Sequence, residues 1–235
     1  MKGKISIIIA ESGLETIPIE LQKNNSILSY SRKVGKKPKE LLLDISYHYS
    51  AMKNGKIENM LKRGRPDLIH FGLLEILSAP MYQKKLVDVY IHTINNNVIT
   101  IGNNVRMPKT YARFEGLMIK LFQDKIISVT NSNDHQNMLL LLENNITFED
   151  LVKKINSNKI IGFSSRGVLQ SIDKIAKEVF LDDIHCVLVF GGFQRGHFNQ
   201  YISNTFDKIY SISNSHLELH TVIARVIYEL EKYRI

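Results

Sequence analysis

The chain of 235 residues is long enough for one large α/β domain or two small ones. Its composition, 44% hydrophobic and 23% charged, excludes long-range disorder. A formal net charge of +8 favours an anionic partner, nucleic acid first, although a uniformly basic proteome would give the same value.

The first third of the chain alternates apolar runs with polar, basic stretches. The β-branched run Ile5–Ala10 is typical of a strand buried on both faces, as in a parallel sheet. Residues 23–39 are polar and basic, and a loop is expected there. The apolar triplet Leu41–Leu43 predicts a second short buried strand. Residues 45–63 predict an irregular helix that breaks at Gly55.

The middle of the chain contains a predicted hairpin between two helices. Pro66 is a good first helical residue, and the apolar residues after it share one broad helical face. The run LVDVYIHT, an asparagine-rich turn and the run VITIG predict a β-hairpin. We expect it to project from the main sheet as an insertion at about residues 84–105. A second helix is predicted for Thr110–Phe122, and a strand for Lys125–Thr130.

Strands and helices alternate most regularly in the last third. The runs KIIGFS, HCVLVFGG and FDKIYSIS predict strands, and VLQSIDKIAKEV predicts an amphipathic helix. The final helix is expected from about His216 to Tyr233. This alternation is typical of an α/β fold with a largely parallel sheet.

Features that report on the cellular compartment favour the cytoplasm. The single cysteine, Cys186, stands in a predicted buried strand, so a structural thiol is expected and no intramolecular disulfide can form. The short apolar run at the start lacks the length of a signal-peptide core. No stretch approaches the roughly 20 apolar residues of a membrane span, so no membrane partner is expected.

Three predicted strands of the last third end in small or polar segments, Gly162–Gly167, Gly191–Gly196 and Ser211–Ser215. Ligands of open α/β sheets bind outside the carboxyl ends of the strands, where glycine lets a ligand approach the backbone. Three converging loops would form a pocket rich in backbone amides and carbonyls, which suits a nucleoside-bearing cofactor. Alternatively, these glycines serve only as tight exits from the strands.

Two basic segments are candidates for contact with an anion. Arg65 and Asp67 lie two residues apart, so the carboxylate can orient the guanidinium for bidentate binding of a phosphate or a base carbonyl. The helix dipole alone would explain Asp67 but not Arg65. Arg106, Lys109 and Arg113 are interleaved with aromatic residues at a helix start, a composition typical of an RNA-contact surface. A solvated charged face is the alternative.

The eight histidines are scattered, and no pair has metal-ligand spacing beside further ligands. No local Ser/His/Asp or Cys/His arrangement supports a nucleophile. Neither a metal site nor covalent catalysis is therefore predicted.

The segments RGRPDLIHFGLLEIL, YIHTINNNVITIGNNVRMPKTYARFEGLMIKLF and VLVFGGFQRG resemble a known family. It comprises the small-subunit ribosomal RNA pseudouridine N1-methyltransferases of archaea and eukaryotes, of the SPOUT class. The resemblance implies one α/β domain over residues 1–235, with a mostly parallel sheet, the inserted β-hairpin and a C-terminal trefoil knot. It also implies a homodimer, S-adenosyl-methionine as cofactor, and a pseudouridine in small-subunit ribosomal RNA as the substrate, in ribosome biogenesis.

The same resemblance implies roles for particular residues. Arg65 would contact RNA at the catalytic centre, and Asp67 would steady it or accept a proton. Arg106 and Arg113 match further RNA-contacting arginines, and Lys109 stands where relatives often have a third. The implied cofactor-binding residues are Ile161, Gly191, Gly196, His197, Phe198, Tyr210, Ser211, Ile212, Ser213, Asn214 and Ser215.

Three other functions remain open at this point. One is a catalytically silent ribosome-assembly factor that keeps the fold and the RNA surface, although the complete-looking glycine loops disfavour it. Another is a SPOUT enzyme that acts on tRNA. The third is a nucleotide-binding enzyme of small molecules, which would leave the basic segments without a purpose.

Overall fold

A computed structural model describes residues 4–129, 138–181 and 184–234. The strands are β1 (Ile5–Ser12), β2 (Val87–Thr93), β3 (Val98–Ile101), β4 (Ile126–Ser128), β5 (Met138–Glu143), β6 (Lys159–Leu169), β7 (Cys186–Gly191) and β8 (Lys208–Ser211). The α-helices are α1 (Asn25–Val34), α2 (Ile45–Asn54), α3 (Pro66–Ser78), α4 (Pro80–Gln83), α5 (Tyr111–Asp124), α6 (Phe148–Ile155), α7 (Ile172–Leu181), α8 (Gln200–Ser203) and α9 (Leu219–Arg234). Short 3-10 helices cover Ile19–Leu21, Pro38–Glu40 and Met60–Lys62.

The strands form one sheet in the order β4-β5-β3-β2-β1-β7-β6-β8. The pairs from β2 across β1, β7 and β6 to β8 are parallel, and the pairs that join β2, β3, β5 and β4 are antiparallel. This confirms the prediction of an α/β fold with a mostly parallel sheet. The carboxyl ends of β1, β7, β6 and β8 therefore meet at one edge.

The predicted hairpin is present as β2 and β3, which pair in antiparallel fashion. The expectation that it projects from the sheet is wrong, because β2 also pairs in parallel with β1, from Ile5 opposite Val87 to Ile9 opposite Ile91. Val87, Val89 and Ile91 are buried, so β2 belongs to the middle of the sheet.

The polar stretch 23–39, predicted as a loop, contains helix α1. The side chain of Asn24 accepts a hydrogen bond from the amide of Ser26, which caps the first turn. Within α1 only Ile27 and Ser31 are buried, so the apolar stripe is too narrow to produce a helical signal in the sequence.

The triplet Leu41–Leu43 is buried as expected, but the prediction of a strand there is wrong. Its backbone forms only an isolated antiparallel bridge with residues 15–17, through bonds from the amide of Ile17 to the carbonyl of Leu41 (3.0 Å) and from the amide of Leu43 to the carbonyl of Glu15 (2.9 Å). The side chain of Leu42 packs in the main core, and those of Leu41 and Leu43 pack in a small core around α1 and α2, so the triplet is buried without being part of the sheet.

Elsewhere the structure shifts or adds elements. The helix predicted from Val168 begins at Ile172, because β6 continues to Leu169 and pairs with β8. The predicted strand 125–130 is β4, and Thr130 lies outside the described residues. Strand β5 and helix α6 were not predicted, although α6 opens with a Thr147–Asp150 capping box. The strands of the last third, the two middle helices and the final helix are confirmed, within a few residues at their ends.

Helices α3, α5, α7 and α9 cover one face of the sheet and enclose the main core. Helix α3 packs along α9. The first turns of both helices lie near the carboxyl ends of the parallel strands. Among the described residues, no helix has the length and apolarity needed to span a membrane.

The Glu178 carboxylate of α7 joins this helix to β6 and β8. Its Oε1 lies 2.7 Å from Lys159 Nζ and 2.8 Å from Lys208 Nζ, and the Tyr210 hydroxyl donates to its Oε2 at 2.6 Å. Although burial opposes ionisation, these partners lower the pKa of Glu178 to about 2. The ionised carboxylate therefore stabilises the folded state.

We predict that Glu178→Gln destabilises the protein in a pH-dependent way. The stabilisation is full above the ordinary carboxyl pKa of 4.5 and is lost as the pH falls toward about 2. The difference in urea midpoint between wild type and variant should therefore be largest near neutral pH and should shrink below 4.5. Glu149→Gln, which removes an exposed helical ion pair, is the control and should change the midpoint little. A Glu178→Gln deficit that is independent of pH would contradict the argument.

Candidate functional site

A pocket lies at the edge where the carboxyl ends of the parallel strands meet. All three segments predicted as loops contribute to it, although Gly162–Gly167 lies within β6, where the pairing with β8 is irregular, and is not a loop. The segment before α9, the first turns of α9 and the start of α3 complete the pocket. Its walls are formed by Leu68, Phe163, Ser164, Ser165, Phe190, Gly191, Phe193, Gln194, Gly196, His197, Phe198, Tyr210, Ser211, Ile212, Ser213, Ser215, His216, Leu217, Glu218, Leu219 and Val222.

The pocket combines apolar walls with backbone polar groups. Phe163 and Phe190 stack in parallel, with ring centroids 4.7 Å apart, and Leu219 and Val222 add aliphatic surface. The turn after β8 is held by the Ser211 hydroxyl, which donates to the carbonyl of Ser213 at 2.9 Å. Flat apolar surface beside loop amides and carbonyls fits a nucleoside.

Two of the eleven cofactor residues predicted from the resemblance do not line the pocket. Ile161 is fully buried in the core, and β6 instead contributes Phe163, Ser164 and Ser165. Asn214 is exposed and is also absent from the walls. The other nine lie in the walls. The sequence prediction missed the lining residues around Glu218. The only feature of the sequence that could have indicated them is their position between the third loop and the final helix.

The loop after β7 requires glycine at two positions. Gly192 packs against the end of β1, and a Cβ there would lie 2.3 Å from the Ser12 hydroxyl. Gly196 has φ +101°, a backbone conformation that other residues rarely adopt. The backbone path of this loop is therefore restricted in two ways, by the close contact of Gly192 with β1 and by the unusual conformation of Gly196.

The buried ion pair between Glu11 and Lys62 contacts this loop and the residue that follows it, Asn199. Lys62 Nζ lies 2.9 and 3.0 Å from the two carboxylate oxygens of Glu11, which is fully buried. The same ammonium donates to Asn199 Oδ1 at 3.2 Å and lies 4.7 Å from the centre of the Phe193 ring. The amide of Asn199 in turn donates to Glu11 at 3.0 Å. The end of β1, residue 62 and both ends of the loop are thus joined in one network.

The neighbouring cations of the KRGR run have separate partners. Arg63 donates two bonds of 2.7 Å to Glu15, which also accepts a bond from Asn95 at 2.7 Å. This second buried pair ties the segment to the stretch after β1 and to the hairpin turn. Lys62 and Arg63 are therefore both paired with buried carboxylates, and Arg65 is the cation of residues 62–65 that stays partly exposed.

The predicted pairing of Arg65 with Asp67 is present. Arg65 Nε and Nη2 donate to the two Asp67 oxygens at 2.8 and 2.7 Å, and this hydrogen bonding raises the pKa of the guanidinium. The side chain is 20% exposed, and Nη1 has no partner among the described residues. Glu218 of the pocket wall also acts on its charge. The pair therefore stands beside the pocket with one edge free for a ligand.

The second basic segment lies against α3 as well. The ring of His70 donates to the carbonyl of Pro108 at 2.7 Å and stacks on Phe114 of α5 at 4.5 Å. Arg106, Lys109 and Arg113 are exposed and make no side-chain ion pair or hydrogen bond with another described residue. The structure thus brings the two basic segments together and leaves these three cations available to a ligand.

The described part of the chain holds no group of three His, Cys, Asp or Glu side chains arranged for a metal ion. His135 lies outside the described residues. Cys186 is fully buried, and burial raises the pKa of its thiol to about 12, in keeping with the predicted structural role.

Comparison with known proteins gives consistent matches over the whole fold. Residues 7–231 match the family model of the EMG1/NEP1 methyltransferases. The chain is 37% identical, over 97% of its length and 95% of the relative's, to the ribosomal RNA small subunit methyltransferase Nep1 of Staphylothermus marinus. It is 36% identical to the Nep1 of Saccharolobus solfataricus, with 94% of each chain covered. The crystal structure of Archaeoglobus fulgidus Nep1 bound to S-adenosylhomocysteine superposes with a TM-score of 0.82 at 27% identity, covering 100% of this chain and 99% of that one.

We predict that Lys62→Met destabilises the protein strongly. Removal of one partner of a buried pair leaves the other charge uncompensated, which typically costs about 3–5 kcal/mol. Urea unfolding measures this cost. Lys4→Met, which breaks the exposed Lys4–Asp88 pair, should cost less than about 1 kcal/mol.

A second variant separates the lost charge from the lost packing. Adding Glu11→Gln to Lys62→Met removes the orphaned carboxylate and should restore part of the stability. If Lys62→Met costs no more than Lys4→Met, the network does not hold the loop.

Proposed function

Because the chain belongs to the EMG1/NEP1 methyltransferase family, we propose that it transfers a methyl group from S-adenosyl-methionine to N1 of a pseudouridine in small-subunit ribosomal RNA. The observation that carries this proposal is the position of the Arg65–Asp67 pair beside a nucleoside-type pocket and a surface of unpaired cations. Its place of action would be the assembling small ribosomal subunit, in the cytoplasm.

The pocket is suited to the adenosine and sulfur-bearing parts of this cofactor. The stacked Phe163 and Phe190 and the aliphatic side chains of α9 offer apolar surface, and the segments after β7 and β8 offer backbone amides and carbonyls. The bound S-adenosylhomocysteine of the Archaeoglobus fulgidus protein supports this assignment. When bound, the cofactor supplies a methyl group already activated by its sulfonium.

The protein's own task is to align the base and to favour loss of its N1 proton. Alignment alone can supply on the order of 7–11 kcal/mol. Arg65 is held by Asp67, and its free Nη1 edge can donate to a ring carbonyl, where negative charge develops as N1 loses its proton. The base must leave its stack to reach this position.

Asp67 has two possible parts in this mechanism. A carboxylate that holds two bonds from a guanidinium is a weak base, which favours a positioning role. As the alternative, Asp67 accepts the N1 proton itself. The tests below distinguish the two.

Arg106, Lys109 and Arg113 would hold the RNA backbone. They are exposed and unpaired among the described residues, and the His70–Pro108 bond fixes their segment against α3. Lys109 offers a point charge where an arginine would offer two parallel donors.

We further infer a C-terminal trefoil knot and a homodimer. The strand order supports the knot, since the chain leaves β7, passes β6 and enters β8 on its far side. For the dimer, Tyr228 of α9 is 62% exposed and Phe71 of α3 is 49% exposed, which leaves apolar surface on two adjoining helices. Sedimentation velocity of the purified chain separates the dimer from a monomer.

The direct test uses a synthetic small-subunit rRNA hairpin with pseudouridine or uridine at the target position. Incubation with the protein and S-adenosyl-methionine should add one methyl group to the pseudouridine hairpin and none to the uridine hairpin, as mass spectrometry can detect. Methylation of the uridine control would contradict the specificity for N1 of pseudouridine. Tight binding of the RNA without binding of the cofactor, measured by calorimetry, would indicate the silent assembly factor instead.

Arg65→Ala should lower turnover of the same hairpin by about 100-fold, the cost typical of removing one donor to a developing charge. Its affinity for S-adenosylhomocysteine should stay near that of the wild type, because Arg65 does not line the pocket. Lys177→Ala, at an exposed lysine of α7, is the control and should keep full activity. Full methylation by Arg65→Ala would exclude the assigned role.

Asp67→Asn decides between the two roles of that carboxylate. If Asp67 positions Arg65, the variant should lose RNA affinity and turnover together and keep a residual rate. If Asp67 is the proton acceptor, RNA affinity should persist while turnover disappears at every pH.

A further inference from the structure

The basic stretch that ends in Lys36, Lys37 and Lys39 has no part in the site described so far. It follows α1, whose last turn contributes Arg32 and Lys33. All five side chains are exposed, and none makes an ion pair or a side-chain hydrogen bond with another described residue. Unpaired cations at this density favour a polyanion as the ligand.

Beside these cations lies a pair of stacked tyrosines. The rings of Tyr30 on α1 and Tyr47 on α2 are 4.8 Å apart at an interplanar angle of 22°. The buried His48 meets the Tyr30 ring edge-on at 5.1 Å, and its Nδ1 accepts a bond from the amide of Asp44. Tyr30 therefore packs against the small core through His48, and its ring stacks on one face of the Tyr47 ring.

Tyr47 is 56% exposed, and the aromatic rings in contact with it, among the described residues, are those of Tyr30 and His48. A tyrosine ring with one face supported and the rest open to solvent is suited to stack a planar group. A nucleobase is such a group, and stacking requires no particular base.

The tyrosine pair adjoins the proposed RNA surface. Asp44, which caps α2 one turn before Tyr47, accepts a 2.7 Å bond from Tyr111, the first residue of α5. Glu115, one turn further along α5, acts together with Tyr47 on Tyr30, whose pKa is raised mainly by burial. Lys36 in turn lies close enough to act on the Glu115 carboxylate. The basic stretch after α1 and the first turns of α5 thus lie beside the same tyrosines, Tyr30 and Tyr47.

We propose that α1 and α2 form a second RNA-contact surface, in which Tyr47 stacks an unpaired base of the substrate and Lys33, Lys36 and Lys37 hold the adjoining phosphates. The proposal rests on the proposed rRNA substrate and deepens it, since the enzyme would then read unpaired nucleotides beside the one it modifies. RNA is recognised largely through such unstacked bases.

The first experiment measures stacking directly. The target hairpin is made with 2-aminopurine at each unpaired position in turn, and its fluorescence is followed as the protein is added. Wild type and Tyr47→Phe should quench one position, whereas Tyr47→Ala should not and should bind the RNA about five-fold or more weakly. Tyr49→Ala is the matched control, because Tyr49 is 53% exposed on the same helix and makes no ring contact among the described residues.

The outcomes separate this inference from the proposed function. Unchanged affinity and quenching in Tyr47→Ala, with methylation intact, would overturn the stacking surface alone. If Tyr47→Ala binds the RNA more weakly but quenches 2-aminopurine at the same positions as the wild type, the stacking surface is also overturned. A structural change in α2 would by itself weaken binding in this way. A wild type that binds no rRNA hairpin would overturn the proposed function itself.

The second experiment tests the cations. Replacing Lys33, Lys36 and Lys37 together with glutamine should reduce the slope of log K against log salt by about 2, at about 0.7 for each phosphate contact on single-stranded RNA. The matched control replaces Lys153, Lys154 and Lys177 with glutamine, an equal loss of charge at exposed lysines that already have acidic partners. Equal slopes in the two triple variants would overturn the role of these lysines.

Discussion

The buried ion pair between Glu11 and Lys62 is the constraint on which the site depends. Two charges removed from water are tolerated only when each satisfies the other and further polar groups complete their hydrogen bonds. Here Asn199 supplies both a donor and an acceptor, so the carboxylate and the ammonium are paired and partnered. Another path for the loop after β7 would remove both Asn199 hydrogen bonds and leave these two buried charges paired but incompletely hydrogen-bonded, which disfavours it.

The same ion pair relates the pocket to the RNA-facing groups. Lys62 is only three residues from Arg65, and Arg63 between them is held by Glu15. The backbone of this short segment is therefore fixed twice before it enters α3. Asp67 then orients Arg65, and Leu68, the next residue, already lines the pocket. Less than one helical turn separates Arg65 from Leu68, so the distance between the guanidinium and the pocket wall is set locally.

Local sequence patterns predicted the strands and helices whose buried apolar residues are continuous or recur at regular spacing. The strands β1, β6, β7 and β8, and the loops after β7 and β8, follow from apolar runs that end in glycine or serine. The predicted loop Gly162–Gly167 is instead part of β6, which continues to Leu169. Helix α1 escaped prediction because it buries so few of its residues, and Leu41–Leu43 resembled a strand because burial alone does not distinguish a core loop from a sheet. The Arg65–Asp67 pair was predictable because its partners are two residues apart. The Glu11–Lys62 pair was not, because its partners are separated by 51 residues and only the fold brings them together.

The buried and the exposed cations of this basic protein have different roles. Lys62 and Arg63 face acidic partners inside, so their charge contributes to the shape of the site and not to its potential. Arg106, Lys109, Arg113 and the lysines after α1 remain unpaired among the described residues, whereas Arg65 is paired with Asp67 and keeps one edge of its guanidinium free. In the proposed mechanism, an RNA drawn by the unpaired charges would meet a guanidinium that is already oriented, so ordering Arg65 would add little to the cost of binding.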